Sequence, residues 1–535
     1  MFKPNLLKSY CIAIALSALP FLIQAQAPAK LKPNWQNLDL PADSTFGIST
    51  EKAYTELLKG KKSIPVLVAV IDGGVDINHE DLKSVIWTNP HEKAGNNKDD
   101  DKNGYIDDIH GWDFIGGPKG DIHFENLEAT RIVRQLKPKY ENVTASTVSA
   151  ADKAEYEVYT RAKADYDEQL TSAQKSLQLY TGIKGALDSI VAAMPKDAAP
   201  LAFFESYTPT STMQTRVKTV VVRNLKIDPD FEKFRKAAID AGYTHFYEVV
   251  NYHLNLSFAP RDIVGDNISD PTQHFYGNAD VDGPDADHGT HVSGIIGAIR
   301  DNNIGVKGVA DNVRIMSVRT VPNGDERDKD VANAIRYAAA NGARVINMSF
   351  GKGYSPDKKE VDDAVKFAIS KDVLIVHAAG NDNKNLDAAD VFNYPNRTYA
   401  DHSGSASNWI EVGASGPKDD ESLKASFSNY GKTSVDVFAP GVLINSTIPD
   451  SKYAEFSGTS MASPVVAGLA ALIRSYYPKL SAAQVKEAIL RSVVPVNHDI
   501  AIRDGQNMKK VPFSDLCVTG GVVNTYNALK IAATM

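Results

Sequence analysis

A chain of 535 residues with 43% hydrophobic and 23% charged residues can bury a sizeable core and is not of disordered composition. Its net charge of −8 comes with no basic block, which argues against nucleic acid as a partner. The length allows either about two to four average domains or one large α/β domain carrying an insertion.

The first residues join Lys3 and Lys8 to an apolar run from Cys11 to Ile23, followed by the small residues Ala25 and Ala27. This is the pattern of a signal peptide, assigned to 1–25, and it implies an exported protein, periplasmic or extracellular. The run is shorter than the roughly 18–20 residues a membrane span needs, and no later stretch is long enough. Cys11 leaves with the signal, so the mature chain keeps one cysteine, Cys517, read as a small buried apolar residue without a disulfide partner. Residues 26–64 form a short N-terminal leader.

From residue 65 short β-rich runs alternate with helical patterns. The runs 65–72, 313–320, 343–350, 373–380, 409–415 and 435–441 read as strands, several nearly apolar throughout, as parallel strands covered on both faces are. Segments 330–342 and 361–372 read as helices between them. The pattern predicts an α/β fold with a mainly parallel sheet flanked by helices, and chemistry at the carboxyl ends of its strands. The middle, 121–274, turns polar and helical. Tyr159, Tyr166, Leu170, Ala173, Leu177 and Tyr180 fall three, four or seven apart on one helix face, with Ser149 as its cap and Pro195 as its limit. This insertion is a helical arm packed on the main domain, a lid or a dimerisation arm.

Three segments carry reactive side chains at element edges. Asp72 ends an apolar strand and is followed by two glycines; His288 opens a helix in "DADHGTHVSGIIGA"; Ser460 opens another in "FSGTSMASPVVAG". Taken singly, each also fits an ordinary role: a turn residue, a core histidine, a helix cap. Together they supply an orienting carboxylate, an imidazole base and a hydroxyl nucleophile, the set that acyl transfer requires. Asn381 in "VHAAGNDN" follows a strand and two small residues, where its amide could serve an oxyanion or simply a turn. His291, one helical turn after His288, reads as structural, because a helical zinc pair needs a glutamate and four-residue spacing.

The motifs "VAVIDGGVD", "HGTHVSGIIGA", "VINMSFG", "HAAGN", "FAPG" and "SGTSMASPVVAG", in this order, resemble those of the subtilisin family of serine proteases. The resemblance implies a subtilisin-like three-layer fold over 42–120 and 275–533 and an exported serine endopeptidase acting on polypeptides without a catalytic cofactor. It implies Asp72, His288 and Ser460 as the triad, with Asn381 and the Ser460 amide as oxyanion donors. It further implies that Ser349, Phe350 and Gly351 pair with an extended substrate, and that Ala378, Ala379 and Gly380 line the pocket for the residue before the cut. Gly73 departs from the family, where a hydroxyl residue commonly follows the acid. The competing reading is a catalytically silent binding or scaffold protein on the same fold.

A last signal is "NNKDDDKNGYIDDIHGWDF". Asp99, Asp101, Asn103, Asp107 and Asp108 resemble the start of a calcium loop, although His110 stands where an EF-hand has glutamate. The acidic side chains repel one another unless a hard cation is bound, so a structural calcium is expected here, the competing reading being a solvated acidic loop.

Overall fold

The strand-forming runs come together as one sheet in the computed structural model, which describes residues 31–505 and 507–535. The signal peptide, Cys11 and the first residues of the leader lie outside the described residues. In chain order the strands are β1 (Val66–Asp72), β2 (Gly111–Asp113), β3 (Val313–Arg319), β4 (Val345–Met348), β5 (Leu374–Ala378), β6 (Trp409–Ser415), β7 (Val437–Pro440), β8 (Val494–Pro495) and β9 (Gly521–Val522). Their spatial order is β8-β9-β7-β6-β5-β4-β1-β3-β2. Every pair is parallel except β8 with β9.

The apolar runs are explained by burial on two faces. Successive residues of β1 alternate between two cores: Val68 and Val70 face one, Ala69 and Ile71 the other. The first core is filled by Val292, Ile295 and Ile296 of the helix Asp287–Gly297 and by the apolar length of the helix Thr459–Tyr476. The second is covered by Val331 and Ile335 of the helix Asp328–Ala340 and by Val361 and Val365 of the helix Lys358–Ser370. The result is the three-layer α/β arrangement that the sequence pattern predicts. Strands β4, β5 and β7 are shorter than their apolar runs. Their last residues leave the ladder at its carboxyl end, and Gly380 does so with φ of +96°, a conformation that favours glycine.

The segment before β1 builds into this layer system. Trp35, Ile48, Ala53 and Leu58 belong to the first core together with Ala528 and Leu529 of the last helix, Thr525–Ala532. Polar contacts accompany the packing: Trp35 Nε1 donates to Val442 O at 3.2 Å, Asn524 Nδ2 to Ser49 Oγ at 2.8 Å, and the Thr50 and Thr525 hydroxyls lie 3.0 Å apart. Cys517 is buried beside Phe438 and Phe513, and burial pushes its thiol up.

Residues Glu125–Ala259 form a second compact unit. It is helical, and its longest element, Lys153–Val191, buries Tyr159, Ala162, Tyr166, Ala173, Ile183, Leu187 and Ile190. Of the expected stripe, Leu170, Leu177 and Tyr180 stay half-buried, because the apolar face drifts along so long a helix. Ser149 lies one turn earlier than expected for a cap. It accepts the Asp152 amide at 3.1 Å, and Asp152 occupies the cap position with its side chain bound to Ser149 and Lys139 instead of a helix amide. The unit's core is Leu187, Ile190, Phe204, Val221, Leu225 and Phe231.

Candidate active site

At the carboxyl edge of the sheet, β1 delivers Asp72 with only 2% of its surface exposed. Its backbone carbonyl accepts the amides of Thr320 and Val321 at 2.8 and 3.1 Å, which fixes the strand end. Arg319, at the end of the neighbouring β3, donates from Nε to Gly73 O at 2.8 Å and from Nη1 to Asp113 Oδ2 at 2.7 Å. A buried cation thus pins the residue beside Asp72.

His288 occupies the first turn of the helix Asp287–Gly297, and the helix can approach Asp72 because Gly289 has no side chain. A Cβ there would sit 2.1 Å from Gly74 O and 3.1 Å from the Asp72 Cβ. The His288 Nδ1 lies 2.7 Å from Asp72 Oδ1. Burial pulls the imidazole's pKa down, but the charge and hydrogen bond of Asp72 outweigh it and hold the ring above its ordinary value. With Nδ1 engaged, Nε2 is the nitrogen left for chemistry.

His291 behaves differently. It is fully buried, stacks on Phe456 with centroids 4.3 Å apart, and sets Nε2 3.0 Å from both Ile444 O and Ala454 O. Burial, together with the neighbouring His288, brings it down to about 4. It packs within the helix layer, in keeping with the structural reading.

Ser460 is the second residue of the helix Thr459–Tyr476. The amides of a first turn have no acceptor within the helix, so the Ser460 N–H is available to a ligand. Its hydroxyl donates to Ser349 O at 3.0 Å and not to His288, while the Ser349 hydroxyl returns a bond to Ser460 O at 2.9 Å. The Asn381 Oδ1 accepts both the amide and the hydroxyl of Thr459 at 2.9 Å, which leaves the side chain's Nδ2 as the donor for a ligand. His288, Asn381 and Ser460 line one groove of about 400 Å³ together with Glu455 and Gly458. His288 also lines a second hollow of about 340 Å³, bounded by Asp72, Gly73, His123, Asp285, Ser349 and Phe350. The imidazole therefore lines both hollows.

Ser349, Phe350 and Gly351 follow the end of β4, and Ala379 and Gly380 follow Ala378, the last residue of the neighbouring β5. Asn393 bridges the two: its Nδ2 donates to Ala378 O at 3.2 Å, and a Cβ on Gly351 would meet its Oδ1 at 2.3 Å. Ala379 O is taken by Asn429 Nδ2 at 2.8 Å. Arg319, Asn393, His123 and Asp285 were not singled out by sequence reasoning. Arg319 reads only as a strand end and Asn393 as a loop residue, and nothing local ties either to residues so distant in the chain.

The five acidic-loop positions do not converge as one set. Asp99 and Asp101 stand with Glu92, one carboxylate oxygen of each lying within 4.8 Å of the others, and Glu92 Oε2 is buried without a hydrogen-bond partner among the described residues. Asn103 instead donates from Nδ2 to Asp101 and Asp108. Asp107 accepts the amides of Asn96 and Asn97. Asp108 faces inward to Asn89 and Tyr337, and burial raises it to about 6. Glu92, seven residues before Asp99, falls outside the spacing that marks the loop.

A family model described as the Subtilase family matches residues 64–514. The thermophilic serine proteinase of Bacillus sp. (strain AK1) is 47% identical over 189 residues, 35% of this chain and 42% of that protein. Alkaline elastase YaB of Bacillus sp. (strain YaB) is 34% identical over 303 residues, 55% of this chain and 69% of the other. Subtilisin Savinase of Lederbergia lenta is 40% identical over 200 residues, 37% of this chain and 67% of that one. The chain thus spans less than half the length of the first of these relatives.

Proposed function

The chain belongs to the subtilase family, and from that premise we propose that it is an exported serine endopeptidase that cleaves polypeptides through an acyl-enzyme. The observation that carries this reading is the 2.7 Å contact of His288 with Asp72 in a cleft that His288 shares with Ser460 and Asn381. Asp72 holds the ring with Nε2 toward the groove. Rotation of the Ser460 side chain transfers its hydroxyl from Ser349 O to that nitrogen, which takes the proton as the oxygen attacks the scissile carbonyl. Asn381 Nδ2 and the Ser460 amide receive the developing oxyanion. The imidazolium then protonates the leaving amine, and water repeats the sequence to release the acid. The edge formed by Ser349, Phe350 and Gly351 holds the substrate backbone, while Ala378, Ala379 and Gly380 line the pocket beneath it.

Ser460→Ala should lower kcat on casein by on the order of 10⁶, and Asn381→Ala by roughly 10² to 10³, the losses that removal of the same two groups causes in subtilisin itself. Near-normal turnover by the serine variant would reject the assignment. The bond from the Ser460 hydroxyl to Ser349, in place of His288, is what the silent-scaffold reading has in its favour. Stoichiometric labelling of Ser460 by an organophosphonate separates the two.

The unpartnered Glu92 Oε2 beside Asp99 and Asp101 suits a calcium ion, whose role would be to neutralise the loop. Calcium should then raise the thermal midpoint in proportion to the logarithm of its concentration, and Glu92→Gln should abolish that dependence. Export rests on the N-terminal pattern; no helix among the described residues is long and apolar enough to cross a membrane.

A further inference from the structure

His377 lies on β5 directly before the pocket segment Ala378, Ala379 and Gly380, and its side chain has no exposed surface. In the ladder it sits opposite Glu411 on β6 and opposite Met348 on β4, two residues short of Phe350. Its Nδ1 is 2.9 Å from Glu411 Oε1, and its Nε2 is 2.9 Å from the Phe350 carbonyl oxygen. The Phe350 carbonyl can only accept, so the ring donates to it from Nε2, while one shared proton joins Nδ1 to Glu411 Oε1. Glu411 is itself held, its Oε2 taking Trp409 Nε1 at 2.8 Å and its amide donating to Asp436 Oδ2 at 2.7 Å. The bridge runs from a fixed carboxylate in the core to one backbone carbonyl at the cleft.

That carbonyl matters because of alternation. Along an extended segment successive backbone groups point to opposite sides. With the Phe350 carbonyl turned inward to His377, the preceding carbonyl, Ser349 O, faces the groove, where it takes the Ser460 hydroxyl until a substrate displaces it. We propose that His377 is a positioning residue that sets the orientation of the Phe350 peptide and so the register of an extended polypeptide between the two walls. The proposal rests on the endopeptidase reading and adds to it a residue that touches neither substrate nor the reacting atoms.

The test compares two reactions in full-length His377→Gln and Glu411→Gln. Inactivation by phenylmethanesulfonyl fluoride needs only Ser460 and its base. Hydrolysis of a tetrapeptide p-nitroanilide needs the edge as well. Inactivation should stay within about twofold of the unaltered chain, while kcat/KM on the tetrapeptide falls by roughly ten- to a hundredfold, more in His377→Gln than in Glu411→Gln. An unchanged tetrapeptide rate, or equal loss of both reactions in both variants, would reduce His377 to a packing residue and overturn the proposal. An unaltered chain that the fluoride fails to inactivate would sink the endopeptidase reading itself, and this one with it.

Discussion

Asp72 gives its Oδ1 to two donors, the Gly73 amide at 2.8 Å and the His288 ring at 2.7 Å, whereas its Oδ2 is buried with no hydrogen-bond partner among the described residues. The departure at Gly73 has this physical effect: no hydroxyl is there to reach the second oxygen. An undivided carboxylate charge acts on His288 and keeps its pKa raised. The proposed mechanism needs the unprotonated ring, so kcat/KM should rise with pH through a midpoint above the ordinary imidazole value of about 6.5. The ion pair stabilises the fold below that ordinary value and ceases to do so as pH climbs through the raised one. Gly73→Ser offers Oδ2 a donor. Its Cβ would lie 3.2 Å from Val321 O and 3.3 Å from Asp285 O, a fit that needs shifts of only tenths of an ångström. The substitution should move the acid limb of the pH profile down by about half a unit, with Gly73→Ala as the control that leaves it in place. An unmoved limb would show that the free oxygen does not act on the ring.

Among the elements, the neighbouring ends of β1 and β3 are held by one side chain. Arg319 and Asp113 expose 1% and 0% of their side chains, so neither charge has water to fall back on. Arg319→Met should cost about 3–5 kcal/mol of stability, because it leaves Asp113 buried alone, and urea unfolding would measure the loss. A loss under about 1 kcal/mol would mean that Asp113 takes up a proton at little cost. The strands themselves were legible in the sequence because two-sided burial imposes long apolar runs, and the element edges because glycine sits beside Asp72, His288 and Ser460. What escaped was pairing across the fold. Arg319 with Gly73, Asn393 with Ala378 and Glu92 with Asp99 are set by tertiary proximity, which leaves no local period to read. The acidic loop shows the same limit, since Asp107 and Asp108 share its spacing but turn to backbone amides and to the core.

For the whole molecule, the chain divides into a layered unit and a helical one inserted into it, each with its own apolar cluster. Either side of the insertion, Ile115, Ile122 and Val264 pack together and hold the two ends of the layered unit near each other. Replacing Glu125–Ala259 by a short glycine-serine linker should therefore leave a chain that melts cooperatively and still reacts with the fluoride at Ser460. A collapsed or aggregating product would show that the layered unit needs the inserted one to fold. Casein turnover and cleavage preference unchanged by the excision would remove latency and substrate selection from the roles open to the insertion. The stitching of Trp35, Ser49 and Thr50 to Asn524, Thr525 and Leu529 has a temporal consequence. A core that needs residues 35–58 and 524–532 together cannot close before the later segment has been made, so the nascent layered unit stays open through most of its synthesis.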